Sequence, residues 1–241
     1  MIVRVAVILI VICAAPLGAN TANAAPCTPL LSERGNCARI TLVQEFVREL
    51  EVLYRLQENA KKEFSEDSSS SAKLVTGIRV GSRTLLEMND SINRLSMINV
   101  DGRWAEFRDL LKQLHQERID IVQEMNRGAK MILAGPEPGV NYGKLTGRAP
   151  ELTAQMEELD KSIFTMAQAM FFALVDDARV GADGKLQHLI LTKTDKVGMV
   201  QLIEKAFGPK LEDKNATHIV GAAWVIKYGL TQPHYKAADE L

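Results

Sequence analysis

Residues 150–177 read PELTAQMEELDKSIFTMAQAMFFALVDD, and Leu152, Met156, Leu159, Ile163, Met166, Met170 and Ala173 recur in it at steps alternating between four and three. That spacing keeps one stripe of a helix turned toward its neighbours. The same alternation runs through Leu74, Ile78, Gly81, Leu85, Met88, Ile92 and Leu95. Two looser amphipathic segments, starting near Thr41 and Asp101, bring the set to four. The fold class expected is all-α: a bundle of about four long antiparallel helices, with two short C-terminal helices packed across one end of it.

Pro150 suits the first turn of the fourth helix, since its missing N–H would have no partner there anyway. The stretch before it, Gly135 to Pro150, holds three prolines and four glycines and is expected to be a loop. It is longer than two neighbouring helices need, and long loops are often functional. It carries Tyr142, Lys144 and Arg148, which suit an anion or an acidic partner and are the first candidates for a binding site. An insertion tolerated at little cost accounts for the length equally well. The C-terminal helices around His218 and Trp224 come next as candidates. A phosphate-binding loop is excluded, because only three residues separate Gly139 from Gly143 and Leu145 follows Lys144.

Thr41-Leu42-Val43-Gln44 reads as a capping box opening the first helix. Val43, Phe46, Val47, Leu50, Leu53, Tyr54 and Gln57 follow on one face, with Arg48, Glu49, Glu51 and Arg55 assigned to the outside. Ser68 to Ser71 form a polar connection to a second helix over about 72–98. Gly77 and Gly81 inside that helix cost about 1 kcal/mol each relative to alanine, which points to close approach of a neighbour. A third helix runs from Asp101-Gly102 to about Leu133 along Trp104, Phe107, Leu111, Leu114, Ile121, Met125 and Ile132, and Arg118 interrupts this seam. Two short helices, about 195–207 and 214–228, end at Gly208-Pro209 and Gly229.

At the N-terminus, Arg4, the uncharged run Val5 to Ala15, and Ala22-Asn23-Ala24 have the order of a secretory signal with cleavage after Ala24. The apolar run is too short to span a bilayer. Two cysteines remain, Cys27 and Cys37, and in an exported chain they are expected to form a disulfide. The organisation expected is a signal peptide (1–24), a disulfide-pinned segment (25–40), the long-helix bundle (41–178) and a short-helix C-terminal region (179–241). A formal net charge of −1 and 5% aromatic residues do not suit a nucleic-acid-binding face.

No spacing declares a metal or a catalytic group. The histidines, His115, His188, His218 and His234, form no Glu-x-x-His pair, and the methionines of the fourth helix suit core packing better than copper. No cofactor and no metal are expected. The sequence therefore predicts an exported, non-enzymatic bundle, periplasmic or secreted and bacterial, that binds or scaffolds an envelope protein or a small ligand, with no nucleic acid and no membrane span after cleavage. The alternative is a small-ligand or metal-binding bundle with a sensory or enzymatic role.

Overall fold

A computed structural model describes residues 34–67, 69–135, 141–177, 193–213 and 216–231. The expected signal segment, Cys27, His188 and His234 lie outside these residues. The chain forms α1 (Arg34–Glu66), α2 (Ser70–Ser96), α3 (Gly102–Ala134), α4 (Tyr142–Asp177), α5 (Lys193–Phe207) and α6 (His218–Thr231), with a short 3₁₀ turn over Gly208–Glu212. The all-α bundle expected from the heptad spacing is what the structure shows.

Ion pairs fix the directions of the helices. Glu63, late in α1, meets Arg79 (3.0 Å) and Arg83 (2.7 Å) at and before the middle of α2, while Glu49, at the middle of α1, meets Arg94 (2.7 Å) late in α2. The two helices are therefore antiparallel. Between α3 and α4 the order is again reversed: Arg103 donates to the Ala173 carbonyl (3.2 Å), Arg118 pairs with Asp160 (2.6 Å) and Glu124 with Arg148 (2.9 Å). The C-terminal helices do not lie across an end of the bundle. α6 lies between α4 and α1 and runs parallel to α4, with Gly221 against Phe164 and Gly229 against Phe171. It buries Ile219, Val220, Ala222, Ala223, Ile226 and Leu230, and so completes a ring α1–α2–α3–α4–α6 around the core. α5 rests outside on α1 and α6, through Tyr54 on Phe207 (ring centroids 5.2 Å) and Lys227 on Glu204 (3.0 Å).

The heptad residues of α4 are buried, except that Met156 is only partly so. In α2 the buried seam is Gly81, Met88 and Leu95, and Leu85 and Ile92 pack against it half-buried. Gly81 owes its place to close packing, since the side-chain amide of Asn126 on α3 occupies the space a Cβ would need. Gly77 has only ordinary contact with the Phe64 ring, 3.7 Å away.

Several expected boundaries move. α1 begins at Arg34, so the box at Thr41 is not a cap: the Thr41 hydroxyl donates to the Cys37 carbonyl (2.9 Å) inside the helix. Cys37 and Ile40 are buried against the core, and tertiary burial of an amphipathic face is what extends such a helix. Ser69 caps α2 by accepting from the Ala72 amide (3.1 Å), so Ser70 and Ser71 belong to the helix rather than to the connection. α6 runs past Gly229 to Thr231, whereas α3 ends at Ala134, where it is expected to.

The largest change is at the expected loop. α4 starts at Tyr142, and Pro150 lies inside it, eight residues beyond the start rather than in its first turn. Proline there removes the bond to the Thr146 carbonyl and costs about 3 kcal/mol in a helix interior. Two contacts favour helix regardless: Asn141 caps the Lys144 amide through Oδ1 (3.1 Å), and Arg148 reaches Glu124 on α3. The connection from α3 to α4 is therefore confined to 135–141.

Candidate functional site

Glu49 is not on the outside of α1. It lies on the stripe Leu42, Phe46, Glu49, Leu53, Leu56, every member of which is buried, and its own exposure is 0%. α2 brings Ser91 on the buried stripe Gly81, Thr84, Met88, Ser91, Leu95, and α3 brings the fully buried His115. The three seams place these polar residues together. Ser91 Oγ donates to Glu49 Oε2 (2.5 Å), Arg94 Nη2 donates to Glu49 Oε1 (2.7 Å), and His115 Nε2 lies 3.2 Å from Glu49 Oε2. The imidazole is close enough for an ion pair but off the hydrogen-bond axis, and Nδ1 has no hydrogen-bond partner either.

Burial pushes the Glu49 carboxyl upward. His115, then Ser91 and Arg94, outweigh it and hold the group at about 2. Glu45, one turn earlier, pairs with Arg94 Nε. Its carboxyl is raised from the usual range by burial, with Arg94 opposing and Glu49 adding to the rise. A cleft of about 360 Å³ lined by Ala38, Thr41, Glu45, Arg94, Met97, Ile98 and Asn99 opens onto this end of the cluster.

One turn along α3, Arg118 is buried and donates through Nη2 to Asp160 Oδ1 (2.6 Å), while Gln57 of α1 donates to Asp160 Oδ2 (2.7 Å). The interruption of the α3 seam at Arg118 is thus a second buried ion pair, which ties α3 to α4. Both polar groupings join helices inside the core. Sequence reasoning set His115 aside and put Glu49 on the outside. The available signal was a charged or polar residue at a heptad position on each of three helices.

The residues first chosen for binding lie elsewhere. Lys144 and Arg148 are exposed on α4, and Arg148 is held by Glu124; Tyr142 opens the helix, and its side chain lies outside the described residues. His218 is exposed at the start of α6 beside Phe164 (ring centroids 6.2 Å), whereas His115 is in the core. Among the described residues no group of three or more His, Cys, Asp or Glu is arranged to hold a metal ion.

The other notable surface is aromatic. Trp224 and Tyr228 stack one turn apart on α6, with centroids 4.8 Å apart and planes 12° apart, and their exposures are 45% and 50%. Gly229 follows Tyr228 and receives the Phe171 ring of α4, which in turn touches the exposed Phe172 (5.7 Å).

Comparison with known proteins gives no family model, no curated protein and no solved structure that matches the chain.

Proposed function

We propose that the chain is an exported, non-enzymatic helical bundle acting as a binding or scaffold module in the periplasm. The observation that carries this reading is the solvent-facing Trp224–Tyr228 stack on the helix that completes the bundle wall. Large aromatic side chains held rigidly at a surface are typical anchors for a protein partner. The buried acid and base groups support it too. Glu49, His115, Arg118 and Asp160 are committed to one another between helices, which suits stapling better than turnover. Lys144 and Arg148, expected first, now compete less well, because Arg148 already has a carboxylate partner.

Changing Trp224 and Tyr228 together to alanine should weaken capture of the partner from the native envelope at least tenfold, the loss expected of a hot-spot pair. The melting temperature should fall less than for a core residue, because about half of each side chain is already solvated. Full capture by this variant, with loss in a Lys144→Ala/Arg148→Ala variant instead, would return the site to the start of α4.

Export and the disulfide belong to the same proposal. No helix among the described residues is long and apolar enough to cross a membrane, and Cys37 is buried at the start of α1. The mature chain should begin at Ala25 and weigh about 2 Da less than its reduced form, with Cys27 joined to Cys37; such a short loop stabilises by about 2–3 kcal/mol on the chain-entropy model. Intact-mass measurement of the exported protein, before and after reduction, checks both. A mass retaining Met1 to Ala24 defeats the first claim, and alkylation of both thiols without reductant defeats the second.

A further inference from the structure

Arg94 and Glu45 are each bonded on one side only. Arg94 Nε donates to Glu45, and Nη2 donates to Glu49 (2.7 Å) and Ser91 (3.1 Å). A guanidinium is planar, with its N–H groups in a fixed fork, so these bonds lock its orientation. Nη1 has no bond to any described residue, and the side chain keeps 26% exposure. Glu45 is the converse. Oε1 accepts from Arg94 Nε, while the cation nearest Oε2 is the exposed Arg48 at 3.9 Å, beyond hydrogen-bond reach. Both residues line the open cleft of about 360 Å³, a volume at the small end of ligand sites. Ala38, Met97 and Ile98 supply its apolar part. Met97 is 83% exposed, and its unbranched side chain can fold onto a bound molecule. Met97 also caps the C-terminal end of α2, where a positive charge is favoured.

We propose that this cleft binds an apolar α-amino acid as its zwitterion. The ligand carboxylate accepts from Arg94 Nη1, the ammonium donates to Glu45 Oε2 beside the end of α2, and the side chain covers Ala38, Met97 and Ile98. The free nitrogen and the free oxygen are neighbours because they belong to one ion pair, and that closeness selects the ligand class. A simple anion on Arg94 would be repelled by Glu45, and a simple cation on Glu45 would be repelled by Arg94. A molecule with both charges a few bonds apart meets neither penalty. Charge-assisted bonds of this kind are the strong ones, and Glu49 and Ser91 hold Arg94 in place before the ligand arrives, which lowers the cost of binding. No residue of α6 lines the cleft, so the site is separate from the Trp224–Tyr228 surface and does not depend on it.

The test is titration of the full chain, followed by its assigned amide resonances, with L-leucine and L-phenylalanine. Three further probes each lack one part: 4-methylpentanoate has no ammonium, 3-methylbutylamine no carboxylate, and glycine no apolar side chain. Both apolar amino acids should shift the Arg94, Met97 and Asn99 amides saturably, and each truncated probe should bind at least about tenfold more weakly than L-leucine, the loss expected of one charged hydrogen bond or of the apolar contact. Glu45→Gln keeps an oxygen for Arg94 Nε and removes the anion. It should weaken L-leucine at least about tenfold and leave 4-methylpentanoate no weaker. No saturable shift with either amino acid up to about 10 mM would overturn the proposal. So would a truncated probe that binds as tightly as L-leucine, or unchanged L-leucine binding by Glu45→Gln. If that variant does not fold, the probe series on the wild-type chain decides alone.

Discussion

Glu49→Ala should destabilise the fold by about 3–5 kcal/mol, measured by chemical unfolding at pH 7. Removing one member of a buried ion pair strands its partners, and that loss exceeds what the pair contributed over an apolar core. Here the stranded groups are the Arg94 guanidinium, the Ser91 hydroxyl and the fully buried His115. Arg94 retains Glu45, which keeps the loss within the range rather than above it. The acid limb follows from the same carboxyl. Glu49 is held at about 2 in the folded chain, below its ordinary 4.5, so its stabilisation is complete above pH 4.5 and is lost as pH falls toward 2. Glu49→Ala should flatten that limb. A loss under 1 kcal/mol with an unchanged acid limb would mean that the cluster is solvated and that Glu49 is not its centre.

The expected cost bears on why such a cluster is kept. Three hydrophobic residues at these seam positions would pack α1, α2 and α3 without any desolvation penalty. The polar set adds direction instead. Glu49 is satisfied only when Ser91 and Arg94 of α2 and His115 of α3 arrive at the same level of the bundle, so a one-turn slip of either helix leaves a buried carboxylate unpaired. Asn126 against Gly81 acts on the same α2–α3 pair, because the amide has room only where the glycine is. Long heptad seams tolerate slips of register well, and these two contacts remove that freedom.

The seams were legible because burial along a helix has a period that sequence shows directly. Leu152 to Ala173 and Leu74 to Leu95 gave helices and their inward faces. The ends of helices were less legible. The Thr41 box and Pro150 are genuine local signals, each worth about 1–3 kcal/mol. The first gave way to burial of Cys37 and Ile40 against the core, while around Pro150 the long-range contact is the exposed Arg148–Glu124 pair, worth less than the proline costs. Glu49 was missed for a related reason. Charge outweighed position in its assignment, although three-four spacing from Phe46 and Leu53 places it on the buried stripe. The placement of α6 between α4 and α1 was not legible at all. It depends on Gly221 and Gly229 receiving Phe164 and Phe171, a pairing between residues more than fifty positions apart that no local pattern announces.

Ile163→Ala should cost about 4–5 kcal/mol and Leu159→Ala about 2–3 kcal/mol, within the range for large-to-small changes in a core. Both residues belong to the same seam of α4, and what separates them is how far the site can relax. Ile163 is fully buried in the continuous core, so the deleted atoms leave a cavity whose lining cannot close without moving helices. Leu159 keeps 6% exposure and borders an open cleft of about 530 Å³ between α3 and α4, lined also by Glu117, Asp120, Ile121, Ala154, Gln155, Glu158 and Ser162. Water and the flexible acidic side chains there fill part of the space, which lowers the cavity contribution. Chemical unfolding of the two variants at one pH gives the comparison directly. Equal losses would make the cleft irrelevant to packing, and a loss below 0.5 kcal/mol at Leu159 would take it off the seam and break the heptad assignment on which the α3–α4 interface rests.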